Sequence, residues 1–172
     1  MANADLALLR LMRTRGHWPA VERAAKALAM TGEYGAVWAA AGLTAAAIDP
    51  PRRRRWLIAA ALPPAAIGLN FAVKVLVRRP RPELDGLPPL GRAPSSLSFP
   101  SAHSTASFAA ATAMSRIAPR RRALLFGGAT LMALTRPYLG MHYPSDVVGG
   151  AALGTALGRA VPGLDGRPPA GS

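Results

Sequence analysis

The sequence predicts an all-α protein: a polytopic membrane bundle of about five spanning helices, with short interfacial helices at its N-terminus. Half of its 172 residues are apolar, and clusters of arginine alternate with long uncharged runs of helical length. This length fits one domain. Within the single domain we expect interfacial helices over 1–32, the transmembrane bundle over 33–162 and a flexible tail over 163–172.

The formal charge of +13 implies a polyanionic partner, either nucleic acid or an anionic bilayer with its phosphate head groups. A nucleic-acid binder would carry its charge on a soluble face with aromatic side chains interleaved. The alternation seen here instead favours the bilayer, so we expect no nucleic-acid partner. The absence of cysteine excludes disulfides, thiolate catalysis and cysteine-based metal sites. Nothing in the pattern determines the oligomeric state.

The N-terminal segments have helical spacing but are too short and too charged to span a bilayer. Residues 5–13 place four apolar side chains at helical spacing, and a second segment follows Trp18 and Pro19 with charges opposite its apolar face. We interpret both as helices at the membrane interface. A soluble, packed helical hairpin is the alternative.

Five apolar runs follow: 34–48, 56–77, 102–115, 123–135 and 147–158. Several are shorter than the roughly 20 residues of a perpendicular span, so flanking residues must supply the remaining length. We therefore predict five spanning helices, or four if the first run is only a buried or re-entrant segment.

Two short basic connections indicate the orientation. Residues 52–55 are four consecutive arginines, and four more arginines lie between the third and fourth runs, at 116 and 120–122. Such loops are typical of the cytoplasmic side. The opposite helix ends, which carry the candidate site residues, then face outward from a bacterial cell membrane. The five basic residues of the N-terminal segment oppose this assignment.

The C-terminal half places Arg136 six residues before His142, and Asp146 four residues after it. Pro144 and Ser145 favour a helix start, which would bring the Asp146 carboxylate back to the imidazole. A histidine oriented in this way can act as a nucleophile or base, and an arginine suits phosphate oxygens. Alternatively, Arg136 and Asp146 pair with each other and His142 packs between them.

Two earlier blocks add further anion-binding groups. Lys74 lies near a helix end, seven residues before Arg81, and Ser101 is a natural N-cap with Ala102 and His103 in the first turn that follows. Taken alone, Lys74 could snorkel to the interface, and Arg78 and Arg79 could form a solvated or lipid-facing surface. The Pro-, Gly- and Ser-rich segment 83–97 predicts an irregular loop that could cap a pocket.

Together, these three blocks resemble the signature of the type 2 phosphatidic acid phosphatase (PAP2) superfamily, the membrane lipid phosphate phosphatases. That signature is Lys-x6-Arg-Pro, then Pro-Ser-Gly-His, then Ser-Arg-x5-His-x3-Asp. The chain matches it in order and spacing from Lys74 to Asp146, with Ala102 in place of glycine and Thr135 in place of serine. Both replacements are small residues, so they bear on amide geometry rather than on the chemistry.

The resemblance implies a role for each matched residue. His142 would attack phosphorus and form a phosphohistidine, Asp146 would fix its tautomer, and His103 would protonate the leaving oxygen. The implied phosphate-binding groups are Lys74, Arg81 and Arg136, with the amides near Ser101 and Ala102. The resemblance implies no cofactor and no metal. The residues agree, because Asp146 is engaged by His142 and the nearest other acids, Glu83 and Asp85, are placed in the loop.

We therefore expect an integral membrane phosphatase that acts on a lipid phosphate or pyrophosphate of the polyprenyl or glycerolipid type. A vanadate-dependent haloperoxidase and a non-catalytic protein that binds anionic lipid are the alternatives. The Arg, Ala and Pro bias suggests a GC-rich genome, and small actinobacterial members of this family act on polyprenyl-phosphate sugars.

Overall fold

The computed structural model describes residues 2–91 and 93–165, and within those ranges it contains seven α-helices and no β-strand. The helices are α1 (Ala2–Thr14), α2 (Pro19–Thr31), α3 (Ala36–Ile48), α4 (Arg53–Val77), α5 (Ala102–Ile117), α6 (Arg122–Tyr138) and α7 (Pro144–Ala160). The all-helical prediction is confirmed, and each predicted apolar run falls in one of α3 to α7, except that residues 34 and 35 of the first run precede α3. Of the predicted flexible tail 163–172, residues 166–172 lie outside the described residues.

Helix α5 is the centre of the bundle and packs against α4, α6 and α7. Its buried side chains are mostly small, including Ala106, Ala109, Ala110 and Ala113. Small side chains let neighbouring backbones approach closely. Larger groups, among them Trp56 and Met114, fill the core beside these alanines.

The closest approach is between α5 and α7. Three glycines of α7, spaced four residues apart, face α5: Gly150, Gly154 and Gly158. A Cβ atom on Gly150 would lie 2.5 Å from the Ser101 carbonyl oxygen, and one on Gly158 would lie 2.6 Å from the Thr112 Cβ. Each contact is closer than a real Cβ permits, so glycine is required for this spacing.

The chain direction alternates through the bundle, which gathers four helix ends on one side. Helices α4 and α6 end there, at Val77 and Tyr138, while α5 and α7 begin there, at Ala102 and Pro144. The segment 78–101 connects α4 to α5 on the same side; its described residues, 78–91 and 93–101, form no helix, and an isolated bridge joins Pro80 to Leu97. The residues of the three motifs lie at these helix ends and in the segments next to them.

Among the described residues, the helical stretch Pro50–Val77 alone is both long and apolar enough to cross a membrane. Helices α5, α6 and α7 contain 16 or 17 residues. At 1.5 Å per residue they are about 24–26 Å long, somewhat less than the ~30 Å hydrocarbon core. The count of five spanning helices therefore stays a prediction.

The two N-terminal helices lie against the bundle. Both α1 and α2 contact α6, and α1 also contacts α7. Their outer faces expose large apolar side chains, among them Leu8, Leu11, Val21 and Met30. An exposed apolar face of this kind suits a helix at a membrane interface, and this placement remains a prediction.

Candidate active site

A cavity of about 390 Å³ lies where the four helix ends meet. Six of the eight predicted site residues line it: Lys74, Arg81, Ala102, His103, Arg136 and His142. Its remaining walls are partly apolar and include Tyr34, Ile67 and Phe71. The cavity is thus lined by both cationic and apolar side chains.

Lys74 points into the bundle from the last turn of α4. Its ammonium group donates to the carbonyl oxygens of Leu97 at 3.2 Å and Ser98 at 3.0 Å. The residue is only 5% exposed. Lys74 therefore does not snorkel to the interface, and it ties the 78–101 segment to the cavity.

Arg81 is held in place by the backbone and touches the nucleophile candidate. Its Nε donates to the Ser95 carbonyl at 2.8 Å and its Nη1 to the Met141 carbonyl at 2.5 Å. The same Nη1 lies 3.2 Å from Nε2 of His142. A guanidinium can only donate, so Nε2 must be the unprotonated nitrogen of the ring. Burial lowers the pKa of Arg81, and the Asp146 carboxylate opposes that shift.

His142 is buried beside Asp146, as the four-residue spacing predicts. Its Nδ1 lies 3.4 Å from Oδ2 of Asp146 and has no hydrogen-bond partner among the described residues. Oδ2 instead accepts from the Tyr143 amide at 2.9 Å. Burial, and then the positive charges of Arg81, Arg136 and Lys74, hold the pKa of His142 well below 6.5. The ring is therefore uncharged at neutral pH, as a nucleophile must be.

The alternative pairing of Arg136 with Asp146 is not found. Arg136 is buried, and its Nη2 contacts the Met141 sulfur at 3.1 Å. Asp146 pairs instead with Arg79, whose Nη1 lies 2.9 Å from Oδ1. Arg136 therefore points its charge into the cavity.

His103 faces the cavity from the first turn of α5, but one of its nitrogens is engaged. Its Nε2 lies 3.0 Å from the Ala29 carbonyl oxygen and 3.8 Å from Oε1 of Glu33. A carbonyl oxygen only accepts, so Nε2 carries a proton in this arrangement. Donation into the cavity therefore requires the doubly protonated ring or a rotation of the side chain.

Two predicted residues lie behind the cavity wall rather than on it. Ser101 is fully buried, its hydroxyl caps α5 by accepting from the Ser104 amide, and its own amide donates to the Asp146 carbonyl at 3.0 Å. Asp146 is also fully buried. Of the two predicted amide positions, Ala102 is therefore the one at the cavity surface.

The sequence interpretation missed three charged residues. Arg79, considered as part of a solvated or lipid-facing surface, instead bridges Asp146 to Asp5 of α1. Glu33, rather than Glu83 or Asp85, is the carboxylate that lines the cavity. Asp5 and Glu33 belong to the N-terminal third, which carries no motif, and nothing in their spacing relates them to the site.

The described part of the chain contains no group of three or more His, Cys, Asp or Glu side chains arranged to hold a metal ion. Glu33 and His103 are the nearest such pair in the cavity, at 3.8 Å. The expectation of metal-independent chemistry remains a prediction.

Residues 55–166 match the family described as the PAP2 superfamily. A decaprenylphosphoryl-5-phosphoribose phosphatase of Mycobacterium tuberculosis is 39% identical over 148 residues, which cover 86% of this chain and 82% of that protein.

Two crystal structures resemble the fold. Aquifex aeolicus LpxE gives a TM-score of 0.72 at 27% identity, covering 90% of this chain and 92% of that one. The transmembrane PAP2-type phosphatidylglycerolphosphate phosphatase of Bacillus subtilis gives 0.68 at 23% identity, covering 92% and 82%, and supports the fold alone. With the family match over most of its length, this chain belongs to the PAP2 superfamily.

Proposed function

We propose that this chain is an integral membrane phosphatase that hydrolyses lipid phosphates through a phosphohistidine formed at His142. The observation that carries the proposal is the cavity itself. Among the described residues, three cationic side chains and two histidines line it together with apolar residues such as Ile67 and Phe71. A phosphate monoester on a lipid likewise combines a charged head with an apolar chain.

In the first step, Nε2 of His142 attacks phosphorus and the bond from phosphorus to the lipid oxygen breaks. The doubly protonated ring of His103 gives a proton to that oxygen, so the lipid leaves as an alcohol and His103 is left neutral. In the second step, His103 takes a proton from water, which attacks phosphorus and breaks the P–N bond. Inorganic phosphate leaves and both histidines return to their starting states.

The cations supply charge stabilisation. Nη1 of Arg81 lies 3.2 Å from the nucleophilic nitrogen, where an oxygen of a bound phosphate would meet it. Lys74 and Arg136 reach the same cavity from α4 and α6. Fixed donors of this kind stabilise the spread charge of phosphoryl transfer without reorganising. Asp146 would accept from Nδ1 of His142 and hold the ring in the attacking tautomer.

The mycobacterial relative, named for decaprenylphosphoryl-5-phosphoribose, supports a polyprenyl-linked sugar phosphate as substrate. We propose this class ahead of a glycerolipid phosphate or a pyrophosphate. We also propose that the protein is a multi-pass protein of a bacterial cell membrane, with its site on the outer side.

The test is a phosphate-release panel on purified protein in detergent, with polyprenyl-linked sugar phosphates, polyprenyl monophosphates, pyrophosphates and phosphatidic acid as substrates. We expect release that is fastest with the first class and absent in His142→Ala. Rapid quench with labelled substrate should trap an acid-labile phosphoenzyme in wild type and none in that variant.

Arg10→Gln is the matched control, because Arg10 is exposed on α1 and is not among the residues that line the cavity. Turnover by His142→Ala above a trace would move the nucleophile elsewhere. Halide oxidation without phosphate release would favour a haloperoxidase, and lipid binding without either reaction would favour a non-catalytic protein.

A further inference from the structure

We propose that Asp5 of α1 is a positioning residue for the reaction, acting through Arg79 and Ser145 to hold Asp146 against His142. The proposal rests on the function proposed above, in which His142 is the nucleophile. It assigns a role to the N-terminal helix, which lies outside all three motifs.

Asp5 makes three polar contacts across the molecule. One carboxylate oxygen accepts from the Ser145 amide at 3.0 Å, and the other accepts from Nη2 of Arg79 at 2.8 Å and from the Ser145 hydroxyl. The Asp5 side chain is about 10% exposed. Burial raises its pKa, but the hydrogen bonds from Ser145 and Arg79 outweigh that effect and leave the pKa lowered. The carboxylate is therefore charged at neutral pH.

Arg79 connects this carboxylate to the site. While Nη2 binds Asp5, Nη1 donates to Oδ1 of Asp146 at 2.9 Å and to the Ser145 hydroxyl at 2.6 Å. The guanidinium carbon also lies 3.9 Å above the Tyr143 ring. A planar guanidinium held on both edges has one orientation available to it.

In that orientation, the two carboxylate oxygens of Asp146 have different partners. Oδ1 is taken by Arg79, which leaves Oδ2 for the Tyr143 amide and for Nδ1 of His142. Without Asp5, the Arg79 fork could turn to bind both oxygens of Asp146 or swing towards solvent. Either movement shifts Oδ2 relative to the imidazole.

Helix α1 is placed to provide this support. Its far end is also docked, since Nη2 of Arg13 donates to the Pro88 carbonyl at 2.8 Å. Asp5 therefore comes from a helix fixed at two points. Its Ser145 contact lies at the first turn of α7, the helix that carries Asp146.

The first experiment compares Asp5→Asn and Asp5→Glu with wild type and with the Arg10→Gln control, on whichever lipid phosphate is turned over fastest. We expect Asp5→Asn to lower kcat by about tenfold through misplaced catalytic groups, with KM within about twofold. Asp5 touches no substrate, so a KM effect is not expected. Asp5→Glu keeps the charge and should recover part of kcat, while thermal midpoints of all variants stay close to the control.

A double-mutant cycle tests the route through Arg79. In an Arg79→Gln background, adding Asp5→Asn should cost less than about threefold further, because interacting residues are not additive. Two independent tenfold losses would overturn the proposed route. A loss of activity that parallels a lower thermal midpoint would also overturn it, as would one that appears as a higher KM rather than a lower kcat.

A third measurement does not depend on activity. The chain has three histidines, so their ¹⁵N imidazole signals can be assigned by substitution. We expect His142 in wild type to occupy the single tautomer protonated at Nδ1, and in Asp5→Asn to exchange between tautomers. An unchanged His142 signal in Asp5→Asn would refute the positioning role, even if wild type proved to release no phosphate from any lipid.

Discussion

The contact between Arg81 and His142 contributes to the low pKa of the proposed nucleophile. Burial is the largest cause of the depressed His142 pKa, and the charge of Arg81 is the next. Removing that charge should stabilise the protonated ring. We therefore expect Arg81→Met to raise the pKa of His142 towards 6.5, measured by ¹⁵N NMR titration of the imidazole signals.

The kinetic consequence has a defined sign. A protonated His142 cannot attack, and kcat/KM reports the free enzyme. The acidic limb of its pH profile should therefore move to higher pH in Arg81→Met. Arg81→Lys keeps the charge and serves as the control. A His142 titration that is identical in all three proteins would show that Arg81 does not control it.

At the scale of single residues, the sequence predicted contacts between residues that are close together in the chain and missed contacts between residues that are far apart in it. The spacing of His142 and Asp146 across a helix start places Nδ1 of the histidine 3.4 Å from Oδ2 of the aspartate. The motif match selected Lys74, Arg81 and Arg136, and the structure shows that all three line one cavity. Arg79 shows the limit: its neighbours in sequence suggest a solvated charge, yet its partner Asp5 is 74 residues away. Tertiary packing alone creates that pair.

Between elements, the α5–α7 contact determines the position of Asp146. A Cβ on Gly154 would collide with the Thr105 carbonyl and the Ala109 amide, which are backbone atoms that cannot yield. We expect Gly154→Ala to force the helices apart, at a cost of about 1–3 kcal/mol. Gly127→Ala on α6 is the matched control, because nothing lies within 4 Å of a Cβ there.

The measurement is the thermal midpoint and the folded yield in detergent. Gly154→Ala should lower both, together with activity, while Gly127→Ala should be neutral or slightly stabilising since alanine favours helix. Equal midpoints for the two variants would contradict the close packing. A four-residue glycine spacing was visible in the sequence, but which helix it faces follows only from the fold.

The helix start at Pro144, which begins α7, was predicted, whereas α4 begins at Arg53, inside the basic stretch 52–55 that the sequence placed in a connection. Membrane crossing was less predictable. Helix α3 contains 13 residues, about 20 Å of helix, and so does not reach across a bilayer core without its flanks. Length alone thus leaves both five and four spans compatible with the fold.

For the molecule as a whole, the balance of charge in the cavity argues for metal-independent chemistry. Among the described residues that line the cavity, three cations face one carboxylate, Glu33, and Asp146 is already engaged by Arg79 and the Tyr143 amide. We expect excess chelator to leave phosphate release nearly unchanged. Vanadate should inhibit competitively, because it adopts the five-coordinate shape of phosphoryl transfer. If chelation abolishes activity and magnesium restores it, Glu33 becomes the first residue to test as a ligand.

The orientation of the whole bundle can be tested because the chain contains no cysteine. The cavity lies at the end of the bundle that carries the 78–101 segment, and the arginine-rich stretches 52–55 and 116–122, each at a helix end and its adjoining turn, lie at the opposite end. Short basic loops face the cytoplasm. A single cysteine at the exposed Asp85 should therefore react with a membrane-impermeant thiol reagent in intact cells, whereas one at the exposed Arg121 should react only after lysis. The reverse labelling would place the cavity on the cytoplasmic side and require a substrate presented from the inner leaflet.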